Sequence, residues 1–142
     1  MGINMKISDE VDLVIPMVHD IEIAATRTAS AVAQFMQFDN DKIDELNQAL
    51  IEACINAFEH SNSNDKKLYI KFVMENNELT VIIKDNGKGF NPSRADEEQN
   101  IKDKFKAEYK RGWGLMLIKN LMDKVEIESD SSGTTLKMTK VK

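Results

Sequence analysis

Glu52 and Asn56 stand four residues apart, one turn of a helix, so a carboxylate and an amide share one face. Asparagine is a poor helix former, and its place inside a long helical segment invites a reason beyond propensity. Its amide oxygen is a neutral hard ligand suited to Mg²⁺, a cation that keeps water and substrate phosphate as its other ligands. Glu52 is placed to take a proton from an attacking hydroxyl or to orient a water. A plain polar strip on a half-exposed helix fits the same pair, so the case depends on what accompanies it.

Five of the six glycines accompany it, in three short clusters. The first is Asp85-Asn86-Gly87-Lys88-Gly89-Phe90, which follows the apolar run Val81-Ile82-Ile83. Asn-Gly after such a run is a hairpin signal, yet the residues from Lys88 to Pro92 do not alternate as a return strand would. Two glycines one residue apart suit a loop whose backbone closes on a ligand. Asp85, at the strand end, can accept a hydrogen bond from an exocyclic amine such as that of adenine. The second cluster, Arg111-Gly112-Trp113-Gly114-Leu115, opens a helix, where free N–H groups and the helix dipole favour phosphate; a simple turn with helix-start glycines is the alternative. Arg111 can act there as a charge clamp on a terminal phosphate. The third is Gly133-Thr134-Thr135-Leu136. No Gly-x-x-x-x-Gly-Lys-Ser/Thr loop and no dinucleotide Gly-x-Gly-x-x-Gly turn occurs. Together the clusters are spaced like parts of one ATP site of another design.

The elements that must position these residues follow from periodicity. Asp9–Pro16 alternates as a strand with Val11, Leu13 and Ile15 on one face. Pro16 is expected in the first turn of a helix reaching about Gln37, with Ile21, Ala25, Thr28 or Ala29, Val32 and Phe35 inward. Asp39 to Asp41 supplies an N-cap, and a second helix runs from about Asp41 to His60 on an inward stripe of Ile43, Leu46, Leu50, Ala53 and Ala57. Apolar Ile51, Cys54, Ile55 and Phe58 on its other sides predict burial between layers. Leu68–Met74 and Leu79–Lys84 form a hairpin, Gly114–Met122 a third helix, and Val125–Glu128 and Thr134–Met138 the closing strands. The residues from Asn91 to about Arg111 are long for a plain connection, with Ile101, Phe105 and Tyr109 spaced for a short amphipathic helix. The fold class is an α/β (α+β) two-layer sandwich: helices on one face of a mixed, mostly antiparallel sheet.

The chain has 142 residues, enough for one domain spanning 1–142, and carries a net charge of −5 with its lysines scattered among acids. That argues against nucleic acid as the main partner, since phosphate backbones need a basic surface. No apolar run approaches the ~20 residues of a membrane span, and the N-terminus lacks signal-peptide features. The single cysteine, Cys54, is expected as a buried reduced thiol, which fits a cytoplasmic setting. His19 and His60 form no zinc pair.

The set Glu52-x-x-x-Asn56, Asp85-x-Gly87-x-Gly89-Phe90, Gly112-x-Gly114-Leu115 and Gly133-Thr134-Thr135 resembles the Bergerat-type (GHKL) ATPase and kinase superfamily, histidine kinases included. Within it, Glu52 to His60 and the run from Gly114 to Lys140 resemble the anti-sigma-factor serine/threonine kinases of the RsbW/SpoIIAB type. The resemblance implies the Bergerat ATP-binding fold, with ATP and Mg²⁺ as cofactors. It implies that Asn56 holds Mg²⁺, Glu52 is the general base, and Asp85 binds the adenine amine with help through water from Thr135. It further implies that Gly87 and Gly89 shape the adenine side, Arg111, Gly112, Trp113, Gly114 and Leu115 meet the phosphates, and residues 91–111 form a lid. The implied partners are a STAS-type antagonist, phosphorylated on serine or threonine, and a sigma factor, with a homodimer plausible. The retained Glu52 favours phosphoryl transfer over an ATP- or ADP-gated binding module. The missing phosphoacceptor domain disfavours a complete sensor kinase, leaving a stand-alone histidine-kinase-like ATPase domain as the other alternative.

Overall fold

Alternation in the first segment produces β1 (Asp9–Pro16), whose Val11, Leu13 and Ile15 turn inward while Glu10, Asp12 and Val14 stay outside. The computed structural model describes residues 9–87 and 114–142. After β1 come α1 (Glu22–Phe35), α2 (Asn40–His60), β2 (Lys67–Glu75) and β3 (Glu78–Asp85), then a helix α3 over residues 114–121, β4 (Lys124–Asp130) and β5 (Gly133–Val141). The five strands make one sheet in the order β1-β2-β3-β5-β4. Every neighbouring pair is antiparallel, so the sheet, expected as mixed and mostly antiparallel, is antiparallel throughout among the described residues.

Register decides which face the helices cover. One row across the sheet reads Leu13, Ile70, Ile83, Leu136, Ile127, and the next inward row Val11, Phe72, Val81, Met138, Val125. Apart from Ile127, which is exposed, these rows join the core cluster with Ala25, Ala29 and Val32 of α1, Leu46, Leu50 and Cys54 of α2, and Ile118 of α3. The row between them, on the opposite face, reads Asp12, Lys71, Ile82, Lys137, Glu126, with ion pairs Lys71–Glu10 at 3.4 Å and Lys137–Glu126 at 4.0 Å. A sheet apolar on one side and charged on the other packs helices on one side only.

Three local expectations are corrected. Pro16 does not open α1; it ends β1 opposite Lys67, on an edge strand, where its missing N–H costs no ladder bond. The chain then turns through Asp20, at φ 77°, before the helix starts at Glu22. Phe35 does not face inward but is 77% exposed, because the inward stripe passes through Val32 and Ala33 and the helix ends there. Nor is α2 enclosed on all sides: Ile51 lies on an exposed outer face while Cys54 is buried against the core.

Caps fix both helices. The α1 terminus is a Schellman motif, with Gln37 N–H donating to the Gln34 carbonyl, Phe38 N–H to that of Ala33, and Gln37 at φ 67°. Asp39 caps α2 by accepting the Lys42 N–H at 2.9 Å. The end of α3 is held from the far side of the core. Lys140, on the inward face of β5 and 6% exposed, donates to the Leu121 carbonyl and to Glu45 of α2 at 2.7 Å. A buried ammonium is tolerable there because it meets a carboxylate and the carbonyl-rich end of a helix.

Candidate functional site

Near the carboxyl end of α2, between the helix and the apolar face of the sheet, a cleft opens. Ala53, Ala57, Ile83, Leu115, Ile118, Ile127 and Leu136 form its apolar walls, suited to a flat ring. The polar lining comes from Asn56, His60, Ser61, Asp85 and Thr134.

Asp85 closes one end. It is the last residue of β3, 6% exposed, and its Oδ1 accepts the Gly87 N–H at 2.8 Å. Glycine is required on both sides of it. A Cβ on Gly87 would meet Ser61 Oγ at 2.9 Å and Asp85 Oδ1 at 3.0 Å, while one on Gly133, at φ +138°, would overlap the Asp85 carbonyl. The buried carboxylate therefore has a fixed direction.

Glu52, Asn56 and Gly114 form the other end. A Cβ at Gly114 would lie 2.5 Å from the Asn56 amide nitrogen and 3.0 Å from Glu52 Oε2. The described part of α3 thus begins directly on the pair that the helical spacing brings together. Asn56 lines the cleft; Glu52 stands just beyond it, against Gly114. Between Glu52 and Ser61 α2 advances roughly 13 Å at 1.5 Å per residue, so Asp85 beside Ser61 and Asn56 beside Gly114 mark opposite ends of the cleft. That separation suits a base at one end and phosphate at the other.

Asn56, Asp85 and Leu115 come together in the lining, with Gly87 and Gly114 packed behind it. Thr135 is not among the lining residues. It pairs with Lys84 and Glu128 on the charged face, and the side-chain period of two puts Thr134, opposite Asp85, in the cleft instead. Gly89, Arg111, Gly112, Trp113 and the expected lid lie outside the described residues. His60 and Ser61 were not marked by sequence as site residues; their position one turn beyond Asn56 was the available signal.

Behind Asp85 the loop after α2 is tied together by Asp65. It accepts bonds from Tyr69 Oη at 2.7 Å, Ser63 Oγ at 2.7 Å, the Lys67 N–H at 3.2 Å and Asn86 Nδ2 at 3.3 Å. These donors, Tyr69 foremost, hold its carboxyl well below the usual carboxylate range, and the same bond raises the Tyr69 phenol. Cys54 is a free buried thiol, pushed up to about 12 by burial and then by the charge of Glu22. No helix among the described residues is long and apolar enough to cross a membrane.

Residues 20–140 match the family model described as the histidine kinase-like ATPase domain. The serine-protein kinase RsbW of Bacillus velezensis is 31% identical over 140 residues, covering 93% of this chain and 85% of that protein. RsbW of Bacillus subtilis is 30% identical over 141 residues, covering 94% and 86%. Among solved structures, the RsbU and RsbW domains of a Mycobacterium tuberculosis protein superpose with a TM-score of 0.69 at 15% identity, over 94% of this chain and 32% of that one. The histidine kinase domain of a blue-light-activated kinase from Erythrobacter litoralis gives 0.51 at 16% identity, over 89% of this chain and 61% of that one. At such identities the structural likeness speaks for the fold.

Proposed function

The chain belongs to the histidine kinase-like ATPase family, and from that premise we propose that it is an Mg·ATP-dependent protein serine/threonine kinase of the anti-sigma-factor type. Its substrate would be a STAS-type antagonist in the cytoplasm, and its second partner a sigma factor. The observation that carries the reading is the contact of Glu52 and Asn56 with the start of α3, at the far end of the cleft from Asp85. A binding module needs Asp85 and the apolar walls; it has no use for a carboxylate at the phosphate end.

In this reading Asp85 accepts the adenine amine while Ile83, Ile118, Leu136 and Ile127 cover the ring. Backbone N–H groups near Gly114 meet the phosphates. Asn56, with Glu52 nearby, offers the donor set for Mg²⁺. Among the described residues no group of three or more His, Cys, Asp or Glu could hold a metal, and magnesium, which retains water and phosphate ligands, needs no such cluster. When bound, it would neutralise charge on the transferring phosphate. Glu52 takes the proton of the acceptor hydroxyl as its oxygen bonds to the γ-phosphorus, the bond to the β,γ-bridging oxygen breaks, and ADP leaves.

The test is incubation with γ-labelled ATP, Mg²⁺ and a cognate STAS-type partner. Acid-stable, base-labile label on the partner is expected. Acid-labile label would instead indicate a histidine-kinase-like domain serving a separate phosphoacceptor, and nucleotide binding without transfer would indicate a binding module.

A further inference from the structure

Reading an adenine edge takes an acceptor for the exocyclic amine and a donor for a ring nitrogen beside it. Asp85 supplies only the acceptor. The nearest backbone donor, Gly87 N–H, is already spent on Asp85 Oδ1 at 2.8 Å.

A hydroxyl stands beside them. Ser61, the C-cap of α2, lines the cleft. Its Oγ and Asp85 Oδ1 flank Gly87: a Cβ added there would lie 2.9 Å from the one and 3.0 Å from the other. Ser61 Oγ accepts the Ser63 N–H at 3.2 Å, and among the described residues it donates to nothing, so its hydrogen is available. The loop that carries it is fixed. Ser63 Oγ donates to Asp65 at 2.7 Å, and Asp65 in turn accepts from Asn86, the residue after Asp85. One carboxylate thus ties Ser61 and Asp85 into a single frame.

We propose that Ser61 is a specificity-determining residue: its hydroxyl donates to one of the two ring nitrogens that flank the adenine amine. The proposal rests on the nucleotide reading above. Asp85 and Ser61 together offer acceptor and donor side by side. A purine with a carbonyl in place of the amine would set oxygen against the Asp85 carboxylate, and an unmatched buried group is costly.

The test measures affinity for ATP, 1-deaza-ATP and 7-deaza-ATP, each with Mg²⁺, in the wild type and in Ser61→Ala. The wild type is expected to bind one of the deaza analogues about tenfold more weakly than ATP, the scale of one unmatched hydrogen bond. Ser61→Ala should bind ATP and that analogue alike. The ratio is taken within each protein, so a general loss of stability does not imitate the result. Discrimination unchanged in Ser61→Ala, or a wild type indifferent to both analogues, overturns the proposal and leaves the nucleotide reading standing. A wild type that binds no nucleotide overturns that reading, and this one with it. Should Ser61→Ala bind no ATP, Ser61→Thr keeps the hydroxyl and must keep the wild-type ratio; losing it would overturn the proposal.

Discussion

Gly114 lies against Asn56 with no room for a methyl group between them: a Cβ there would stand 2.5 Å from the amide nitrogen. The atom in the way is the tip of a side chain, so Gly114→Ala forces Asn56 aside and leaves the backbone intact. Alanine also favours helix by up to ~1 kcal/mol over glycine. Gly114→Ala is therefore expected to unfold no earlier than wild type in a thermal melt, while Mg·ATP binding weakens roughly tenfold or more by calorimetry, the scale of losing one polar contact to a charged ligand. Unweakened binding would show that Asn56 is not a ligand-side residue.

Glu52→Ala should separate binding from chemistry. Glu52 stands beyond the cleft lining and against Gly114, so ATP affinity should be retained while transfer falls by ~10²–10⁴-fold, as for loss of a general base. Turnover at the wild-type rate would remove Glu52 from the mechanism.

Asp85→Asn keeps an oxygen to accept the Gly87 N–H but loses the charge and turns half the group into a donor. ATP affinity should drop by roughly 10- to 100-fold, the range for a hydrogen bond to a charged group. Equal affinity by calorimetry would sink the adenine assignment.

Gly133→Ala is a stability variant. The position sits at φ +138°, and an added Cβ overlaps the Asp85 carbonyl, which is backbone and cannot swing away. A loss of at least about 2 kcal/mol is expected in urea unfolding, from strained φ and overpacking together.

The Asp65 cluster gives a pH signature. Its folded pKa is depressed, chiefly by the Tyr69 hydroxyl, so its contribution is present above the unfolded value of ~3.9 and is lost as pH falls below it. The thermal gap between wild type and Asp65→Asn should be open at pH 6 and narrow steadily below about pH 4. Tyr69, whose pKa is raised, gives the mirror case: its contribution holds below ~10 and fades above it. A gap independent of pH on the acid side would deny Asp65 its role.

Much of this was legible in sequence because strands and helices announce themselves by period. The strand Asp9–Pro16 was read to the residue, and Asp39 to Asp41 was read as the cap region that Asp39 serves. What was misread depended on tertiary context. Pro16 opens helices and also ends edge strands, and only the register with Lys67 distinguishes the two. Phe35 continued a plausible apolar stripe, but α1 stops before that side chain can turn inward. At the site, Glu52 with Asn56 and Asp85 with Gly87 were visible because each pair is local. The choice of Thr134 over Thr135 in the cleft depends on strand parity across β3 and β5, which a glycine motif does not carry. Ser61 lines the cleft from the C-cap of α2, a placement that no local pattern in the sequence announces.

The sheet is built on two hairpins, β2–β3 and β4–β5, zipped along the β3–β5 seam, with β1 added beside β2, and the cleft straddles that seam. Each hairpin closes a short loop, whereas joining Asp85 to Thr134 requires a long one, the slower and entropically costlier event. A molecule gripped by Asp85 on one side and by Leu115 and Thr134 on the other acts as a cross-link between the halves that this closure joins. Filling the cleft should therefore slow unfolding more than it speeds folding, turning occupancy into lifetime for the folded chain.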